Sequence, residues 1–333
     1  MADIEIFEDN AFTVPALTAA INEQPYVPGR LAELGLFEEE GVTTITVQVE
    51  KDGETLALVP AGERGTSGLV VGGSKRILLP FNTVHLPERF AIKADEIQGI
   101  RAFGSQTELQ AVQDVVNKRL AKARRQLDAT HEFHRMGALN GYVLDADGKT
   151  VLLDIYKRFD IKPVEIVMDL DKPETEVRVK CVDALDAQEE ALGATASSSA
   201  RALCGKNFWR MLIAHRSVKE TYEGTQYAAA LRADGREAFD FGGITWERYR
   251  GKVGGTAFVG DDDARLVPEG VPGLCITRFA PADYMDTVNT EGLPYYSQLE
   301  MMPFKKGVAG EAQSNPLHLV TRPKAIIRLK AKR

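Results

Sequence analysis

A single long helix is the sequence feature that most limits how this 333-residue chain folds. Between residues 105 and 137, apolar residues recur at three- and four-residue steps, namely Leu109, Val112, Val116, Leu120, Ala123 and Leu127. This spacing predicts one apolar stripe along an α-helix. Ser105 or Thr107 can cap its N-terminus, and Gly137 or Gly141 can end it. About 30 residues at 1.5 Å each give roughly 45 Å, well above the usual helix of about 11–12 residues.

The opposite face of the long helix carries the densest basic cluster in the chain: Lys118, Arg119, Lys122, Arg124 and Arg125. The chain as a whole is acidic, with 41 Lys and Arg against 48 Asp and Glu and a net charge of −7. This balance argues against a dedicated nucleic-acid binder. The cluster is therefore either a solvated helix face or a local contact to nucleic acid.

The first ninety residues show a broken pattern and then an extended one. Residues 1–41 are apolar but interrupted by prolines and glycines, which predicts an arm lying on something else or an edge of the main domain. In residues 42–60, apolar Ile45, Val47 and Val49 alternate with polar residues, and Asp-Gly follows at a hairpin turn. We interpret residues 42–90 as a long β-ribbon around a glycine-rich tip near 61–75. Such a ribbon is marginal in water unless another layer covers it.

The remainder of the chain reads as mixed α+β. Strands are predicted at 142–155, 163–169, 175–181 and 244–250, helices at 197–213 and 218–231, and an extended run at 317–329. No clean linker separates these segments, so we expect distant stretches to interleave in one body.

Motifs for catalysis or cofactor binding are weak throughout. Residues 68–75 resemble a phosphate-binding loop, but Ser74 and Lys75 stand in the reverse order. His131 and His134 are three apart and lack the spacing of a zinc protease, while Asp261–Asp263 lacks the spacing of a calcium loop. The chain is therefore not expected to be an enzyme or to hold a metal or cofactor. A metal-assisted hydrolase that uses His131 and His134 is kept as the alternative.

The cysteine content and the distribution of apolar residues indicate the cellular compartment in which the chain is expected to fold. The three cysteines are far apart and odd in number, which fits reduced, buried thiols. No apolar run approaches the roughly 20 residues that cross a bilayer, and the N-terminal residues are acidic where a signal peptide is basic. We expect a soluble protein that is made in the cytoplasm and has no membrane partner.

Several sequence strings, taken in order, resemble one known family. They are LFEEEG at 36–41, DEIQGIRAFG at 95–104, FGGI at 241–244, APAD at 280–283, VNTEGLPYY at 288–296, SNPL at 314–317 and TRP at 321–323. In this order and spacing the chain resembles the lambda-type major capsid proteins of tailed bacteriophages, the major capsid protein E family. The resemblance covers nearly the whole chain.

The resemblance implies the Hong Kong 97-like α+β capsid fold of tailed-phage and herpesvirus shells. Its parts would be an N-terminal arm (1–41), an extended β-loop (42–90), a spine helix (105–137), a peripheral domain (138–195 with 295–333) and an axial domain (196–294). The function implied is a major capsid protein that self-assembles into an icosahedral shell around packaged double-stranded DNA. Another phage structural part, such as a tail or baseplate subunit, is a further alternative.

The resemblance also implies partners and sites. The chain would bind itself in hexamers and pentamers, portal and scaffold proteins during assembly in the host cytoplasm, and a decoration protein on the virion. Because the spine lines the inner wall in this family, Lys118, Arg119, Lys122, Arg124 and Arg125 would face DNA. A second set, at the ribbon tip, would contact neighbouring subunits: Arg64, Gly65, Lys75 and Arg76. A covalent Lys–Asn crosslink is not expected, because lambda-type relatives are generally reinforced by decoration proteins.

Both the arm and the ribbon are expected to expose apolar faces and unpaired strand edges in a lone copy. Neighbouring copies would cover these surfaces in a closed assembly.

Overall fold

A computed structural model describes residues 7–24, 29–51, 77–98, 108–222, 238–253 and 255–332. Its α-helices, in chain order, are α1 Val14–Glu23, α2 Arg30–Glu33, α3 Ala94–Gln98, α4 Glu108–Asn140, α5 Ile155–Phe159, α6 Val177–Leu192, α7 Lys206–Ala214 and α8 Arg216–Tyr222.

Strands occur along the whole described chain. The first nine are β1 Glu38–Gly41, β2 Thr46–Lys51, β3 Ile77–Asn82, β4 Leu86–Lys93, β5 Tyr142–Leu144, β6 Val151–Asp154, β7 Glu165–Val167, β8 Ser199–Cys204 and β9 Phe239–Phe241. The remaining nine are β10 Ile244–Arg248, β11 Lys252–Val253, β12 Thr256–Ala257, β13 Asp263–Glu269, β14 Cys275–Phe279, β15 Tyr296–Met301, β16 Gly307–Ser314, β17 Pro316–Val320 and β18 Ile327–Lys330.

The predicted long helix is confirmed as α4, which spans 33 residues. It continues through Gly137 and ends before Gly141, whose φ of 86° is the left-handed conformation that glycine adopts easily. Of the two predicted terminators, Gly141 is therefore confirmed, and the bound of residue 137 given for the spine helix is three residues short. Both predicted N-caps, at 105 and 107, lie outside the described residues.

One compact unit comprises residues 1–47, 81–135 and 276–318. Its core joins α1 and α4 to the antiparallel sheet ordered β15-β16-β4. The buried side chains that form it are Phe12, Leu17, Ile21, Ile92, Val112, Val116, Leu120, Ala123, Leu127, Tyr295, Val308 and Ala312. The predicted apolar stripe of the long helix is thus part of the core of this unit.

The described part of the arm lies on its own chain, which corrects the expectation that it stays uncovered. Its apolar side chains at Leu17, Ile21 and Leu31 are fully buried. Pro15 does not break α1, because it occupies the first turn, where a helix needs no backbone donor. The arm then pairs through β1, in parallel, with β14.

The other unit comprises residues 48–80, 136–275 and 319–333. Its sheet has six strands in the order β7-β18-β13-β8-β10-β9, and Phe208, Trp209 and Trp246 are among the largest side chains of its core. This unit groups residues 138–195 with 196–275, because β7 and α6 pack with the same sheet as β8 to β13. The predicted grouping of 138–195 with 295–333 differs, and the peripheral and axial assignment stays a prediction.

Two predicted elements of this unit are wrong. Residues 175–181 were expected to form a strand, but they begin α6, in which Val177, Cys181 and Ala184 are buried at helical spacing. The predicted helix at 197–213 starts instead with β8, and only Lys206–Ala214 is helical. Small residues in β8 suggest a helix by propensity, yet they fit the tightly packed centre of the sheet between β13 and β10.

The base of the predicted ribbon is described, and its tip is not. Strands β2 and β3 pair with each other. Near this base, the side chain of Ile45 is 71% exposed, whereas those of Val49 and Phe81 are buried. The predicted ribbon range of 42–90 also includes the first residues of β4. This strand does not belong to the ribbon, because it pairs with β16 in the sheet ordered β15-β16-β4. Arg64, Gly65, Lys75 and Arg76 lie outside the described residues.

Candidate functional site

The basic face of α4 divides into exposed and buried members. Lys118, Lys122 and Arg125 are exposed. Because they are four and three residues apart, they lie along one side of the helix. The guanidinium of Arg125 donates to the Ala121 carbonyl of its own helix at 3.1 Å and stays at the surface. These three cations form what we call the basic stripe.

Arg119 is engaged by a neighbouring element. Its Nη2 donates to Glu96 Oε2 of α3 at 2.5 Å, and about a third of each side chain remains exposed. This hydrogen bond lowers the pKa of the Glu96 carboxyl below its ordinary value. Arg119 is therefore partly neutralised by an acidic partner.

Arg124 is buried, which removes it from the predicted DNA-facing set. Its Nη1 donates to the carbonyls of Ile21 and Asn22 at 2.7 and 2.6 Å, and its guanidinium lies 4.9 Å from the Tyr295 ring centre. Asp128 is one helical turn away, 3.8 Å from its Nε. A cation here satisfies carbonyls at the C-terminus of α1 and complements the negative end of that helix. Arg124 thus fastens the arm to α4.

Beyond Arg124, the helix α4 carries further buried polar side chains, Glu132 and Arg135 among them. The sequence pattern did not predict their burial. Glu132 accepts a hydrogen bond from the Leu31 backbone amide at 2.8 Å. Arg135 pairs with Glu39 of β1, and its guanidinium lies 5.9 Å from the Phe37 ring centre. Each of these contacts joins the helix to residues 29–41. The arm is therefore held by hydrogen bonds and ion pairs as well as by apolar packing.

Three buried histidines lie close together here, namely His131 and His134 of α4 and His318 of β17. His131 Nδ1 is 3.0 Å from His318 Nε2, and the other nitrogen of His318 is 2.8 Å from the Thr277 hydroxyl. The ring centres of His134 and His318 are 6.3 Å apart. Burial lowers the pKa of His131 well below its ordinary value, and the nearby Arg135 and His134 lower it further. Burial also lowers the pKa of His318 well below its ordinary value, followed in effect by His131, Arg135 and His134.

This arrangement fits a structural cluster better than a catalytic metal centre. The facing nitrogens of His131 and His318 are used in a hydrogen bond with each other. Within the described ranges, no group of three or more His, Cys, Asp or Glu side chains has the geometry to hold a metal ion. The sequence did carry a signal for the cluster, since the apolar stripe at Leu120 and Leu127 continues in phase to His131 and His134.

In the part of the chain that the structure describes, no helix is both long enough and apolar enough to span a membrane.

Comparisons with known proteins agree with one another. The family model described as Phage major capsid protein E matches residues 13–331. The chain is similar to the Major capsid protein of Salmonella phage Felix O1 (isolate Felix O1-VT1), at 26% identity over 97% of each chain. It is also similar to the Major capsid protein of Pseudomonas phage KPP10, at 29% identity over 97% of each chain.

The fold is also similar to that of a prophage protein of Escherichia coli CFT073 described as its capsid protein. The TM-score is 0.54 at 12% identity, with 94% of this chain and 97% of that chain covered. This likeness confirms the predicted Hong Kong 97-like α+β fold.

Proposed function

Because this chain belongs to the phage major capsid protein E family, it is a structural protein of the phage head shell, and we propose that its shell encloses double-stranded DNA. The chain assembles with copies of itself and is located in the virion capsid. The hydrolase alternative is not favoured. We also propose that assembly takes place in the host cytoplasm, as hexamers and pentamers, with portal and scaffold proteins and later a decoration protein.

The basic stripe of Lys118, Lys122 and Arg125 carries the proposal of DNA contact. Three exposed cations on one helix side stand out in a chain of net charge −7. Phosphate contacts of this kind are independent of sequence and weaken with salt. The acidic balance of the remaining surface keeps this contact weak enough for packaged DNA to leave.

Charge reversal tests this proposal. Particles that carry Lys118→Glu, Lys122→Glu and Arg125→Glu should assemble but retain less DNA when salt and temperature are raised. When log affinity for DNA is plotted against log salt concentration, the line falls with a negative slope. Losing three phosphate contacts should make that slope less steep by about 3. The matched control reverses three exposed lysines elsewhere: Lys149, Lys162 and Lys252. Equal DNA retention in the stripe variant and the control would contradict the proposal.

The ribbon tip is proposed as a non-covalent contact between subunits. Its support is the sequence of residues 61–76, in which Arg64, Lys75 and Arg76 accompany several glycines, Gly65 among them. Glycine allows a tip to bend differently at non-equivalent positions of a shell. Replacing the three cations by Ala should reduce shell yield, and denaturing gels of parent shells should show monomers only. Covalent ladders from the parent would refute the non-covalent proposal.

A further inference from the structure

The turn between β15 and β16 presents an exposed aromatic residue in an uncommon backbone conformation. Phe304 has φ 62° and the next residue, Lys305, has φ 54°, both in the left-handed region that non-glycine residues rarely adopt. The turn is closed by two backbone hydrogen bonds, from Met302 to Gly307 at 2.9 Å and from Lys305 to Met302 at 3.1 Å. The Phe304 side chain is nevertheless 89% exposed. The hydrogen bonds that close the turn leave the aromatic ring uncovered, so Phe304 is available for a contact outside the chain.

Two positively charged side chains lie next to Phe304 in this turn. Lys305 and Lys306 are exposed, and the ammonium of Lys306 lies 5.7 Å from the Phe304 ring centre. We call Phe304, Lys305 and Lys306 the hairpin tip. It is an apolar knob beside two positive charges.

A surface of complementary chemistry lies in the segment that leads into β15. Met285 begins a single 3₁₀ turn that ends at Thr287, and Val288 follows directly as its C-cap residue. The side chains of Met285, Val288 and Leu293 are all exposed, and they are interspersed with exposed Asp286 and Glu291. We call these five residues the acidic patch. The patch offers apolar side chains between two negative charges, the converse of the hairpin tip.

The two surfaces do not cover each other within one chain, because the side chains of Phe304 and Met285 are each 89% exposed. Leu293 lies beside the start of β15, where its backbone amide donates to the Tyr296 hydroxyl at 2.8 Å, whereas Phe304 follows the end of that strand. We propose that the hairpin tip of one copy docks on the acidic patch of a neighbouring copy, head to tail. This proposal rests on the shell function stated above. A contact between two different surfaces repeats from copy to copy and closes a ring when the rotation allows it.

Charge exchange gives the first test. The hairpin-tip variant Lys305→Glu with Lys306→Glu, and the patch variant Asp286→Lys with Glu291→Lys, should each raise by at least tenfold the protein concentration at which half of the chain sediments as assemblies. Combining all four substitutions in one chain restores opposite charges at every contact, so it should return that concentration to within about threefold of the parent. The matched control, Lys149→Glu with Lys162→Glu, should stay at the parent value.

The outcomes of this experiment separate the two claims. Unchanged assembly of both charge variants, or no recovery in the combined variant, would overturn the docking proposal while shell formation stands. A parent chain that never assembles would contradict the shell function instead. Circular-dichroism melting of each unassembled variant verifies that it folds.

A disulfide gives the second test, which does not depend on charge. With Phe304→Cys and Val288→Cys in one chain, mild oxidation of assembled protein should give covalent multimers on a denaturing gel. A disulfide within one copy would leave a monomer band on a non-reducing denaturing gel, so only disulfides between copies give the multimers. The three native cysteines are buried, so the control with Val253→Cys in place of Val288→Cys should give no comparable ladder. Shells that form normally yet yield only monomers would overturn the proposal.

Discussion

Acidification should loosen the arm from α4, because the histidine cluster lies where residues 29–41 pack on that helix. Phe37 contacts the His318 ring, with ring centres 6.1 Å apart, and Leu31 is bonded to Glu132 next to His131. Two histidines, His131 and His318, have pKa values lowered by burial and by Arg135. Protonating either one places a second buried cation beside that arginine.

The sign and size of the effect follow from proton linkage. In the folded chain the pKa of both histidines lies below the ordinary value of 6.5. In the opened state, in which the arm has left α4 and the histidines are hydrated, the pKa returns to the ordinary value. Between the lowered and the ordinary pKa, the opened state therefore binds more protons than the folded state. Stability is therefore complete above pH 6.5 and decreases as the pH falls below it. One such group changes the opening free energy by up to about 1.4 kcal/mol per pH unit. The two histidines together give up to about 3 kcal/mol per pH unit.

Hydrogen exchange measures this directly. In the unassembled chain, peptides covering residues 29–41 should lose protection as the pH is lowered from 7.5 to 5.5, after correction for the intrinsic exchange rate. The double variant His131→Gln with His318→Gln should lose at least half of this pH dependence. The control His85→Gln, at an exposed residue outside the cluster, should keep it.

Protection of residues 29–41 that is the same at pH 7.5 and 5.5 would refute the reasoning. So would an equal loss of protection in the parent and the double variant, because the pH dependence would then arise elsewhere.

Other predictions follow from single contacts. Arg124→Ala should lower the free energy of unfolding by about 3 kcal/mol in urea titrations, because the substitution leaves buried carbonyls and a carboxylate without their cation. The control Arg125→Ala, at an exposed residue, should change the free energy of unfolding by less than about 0.5 kcal/mol. Gly141→Ala should cost about 2 kcal/mol or more in the same assay, since its φ is 86° and a Cβ would lie 1.9 Å from the Tyr156 ring. Burial raises the pKa of the Cys181 thiol to about 12, so a thiol reagent at pH 8 should label it only after denaturation; rapid labelling of the native chain would contradict its burial.

The long helix was predictable because its signal is local and periodic. Leu109 to Leu127 repeat over several turns, and no other segment is needed to recognise them. The hairpin of β5 and β6 was equally local, since Asp145 to Gly148 supply turn residues between two short strands. The fold class came from ordered strings along the whole chain.

Elements decided by tertiary packing were harder to predict. Val177, Val179 and Cys181 alternate as in a strand, yet the helix buries Val177 and Cys181 and exposes Val179. The sequence pattern places Arg124 among the exposed cations of the helix. Its burial depends on the end of α1, which packs beside it in the folded chain. The histidine cluster needed His318, which is 187 residues from His131, so spacing along the chain could not indicate it. Its burial was foreshadowed only by the phase of the apolar stripe.

Electron microscopy of the purified full-length chain is the most direct test of the central claim that this protein builds a head shell. Under assembly conditions we predict closed, uniform shells in which every copy is held by contacts with its neighbours. A chain that stays monomeric at every concentration and salt condition, alone and when co-expressed with the other head proteins of its phage, would contradict the account.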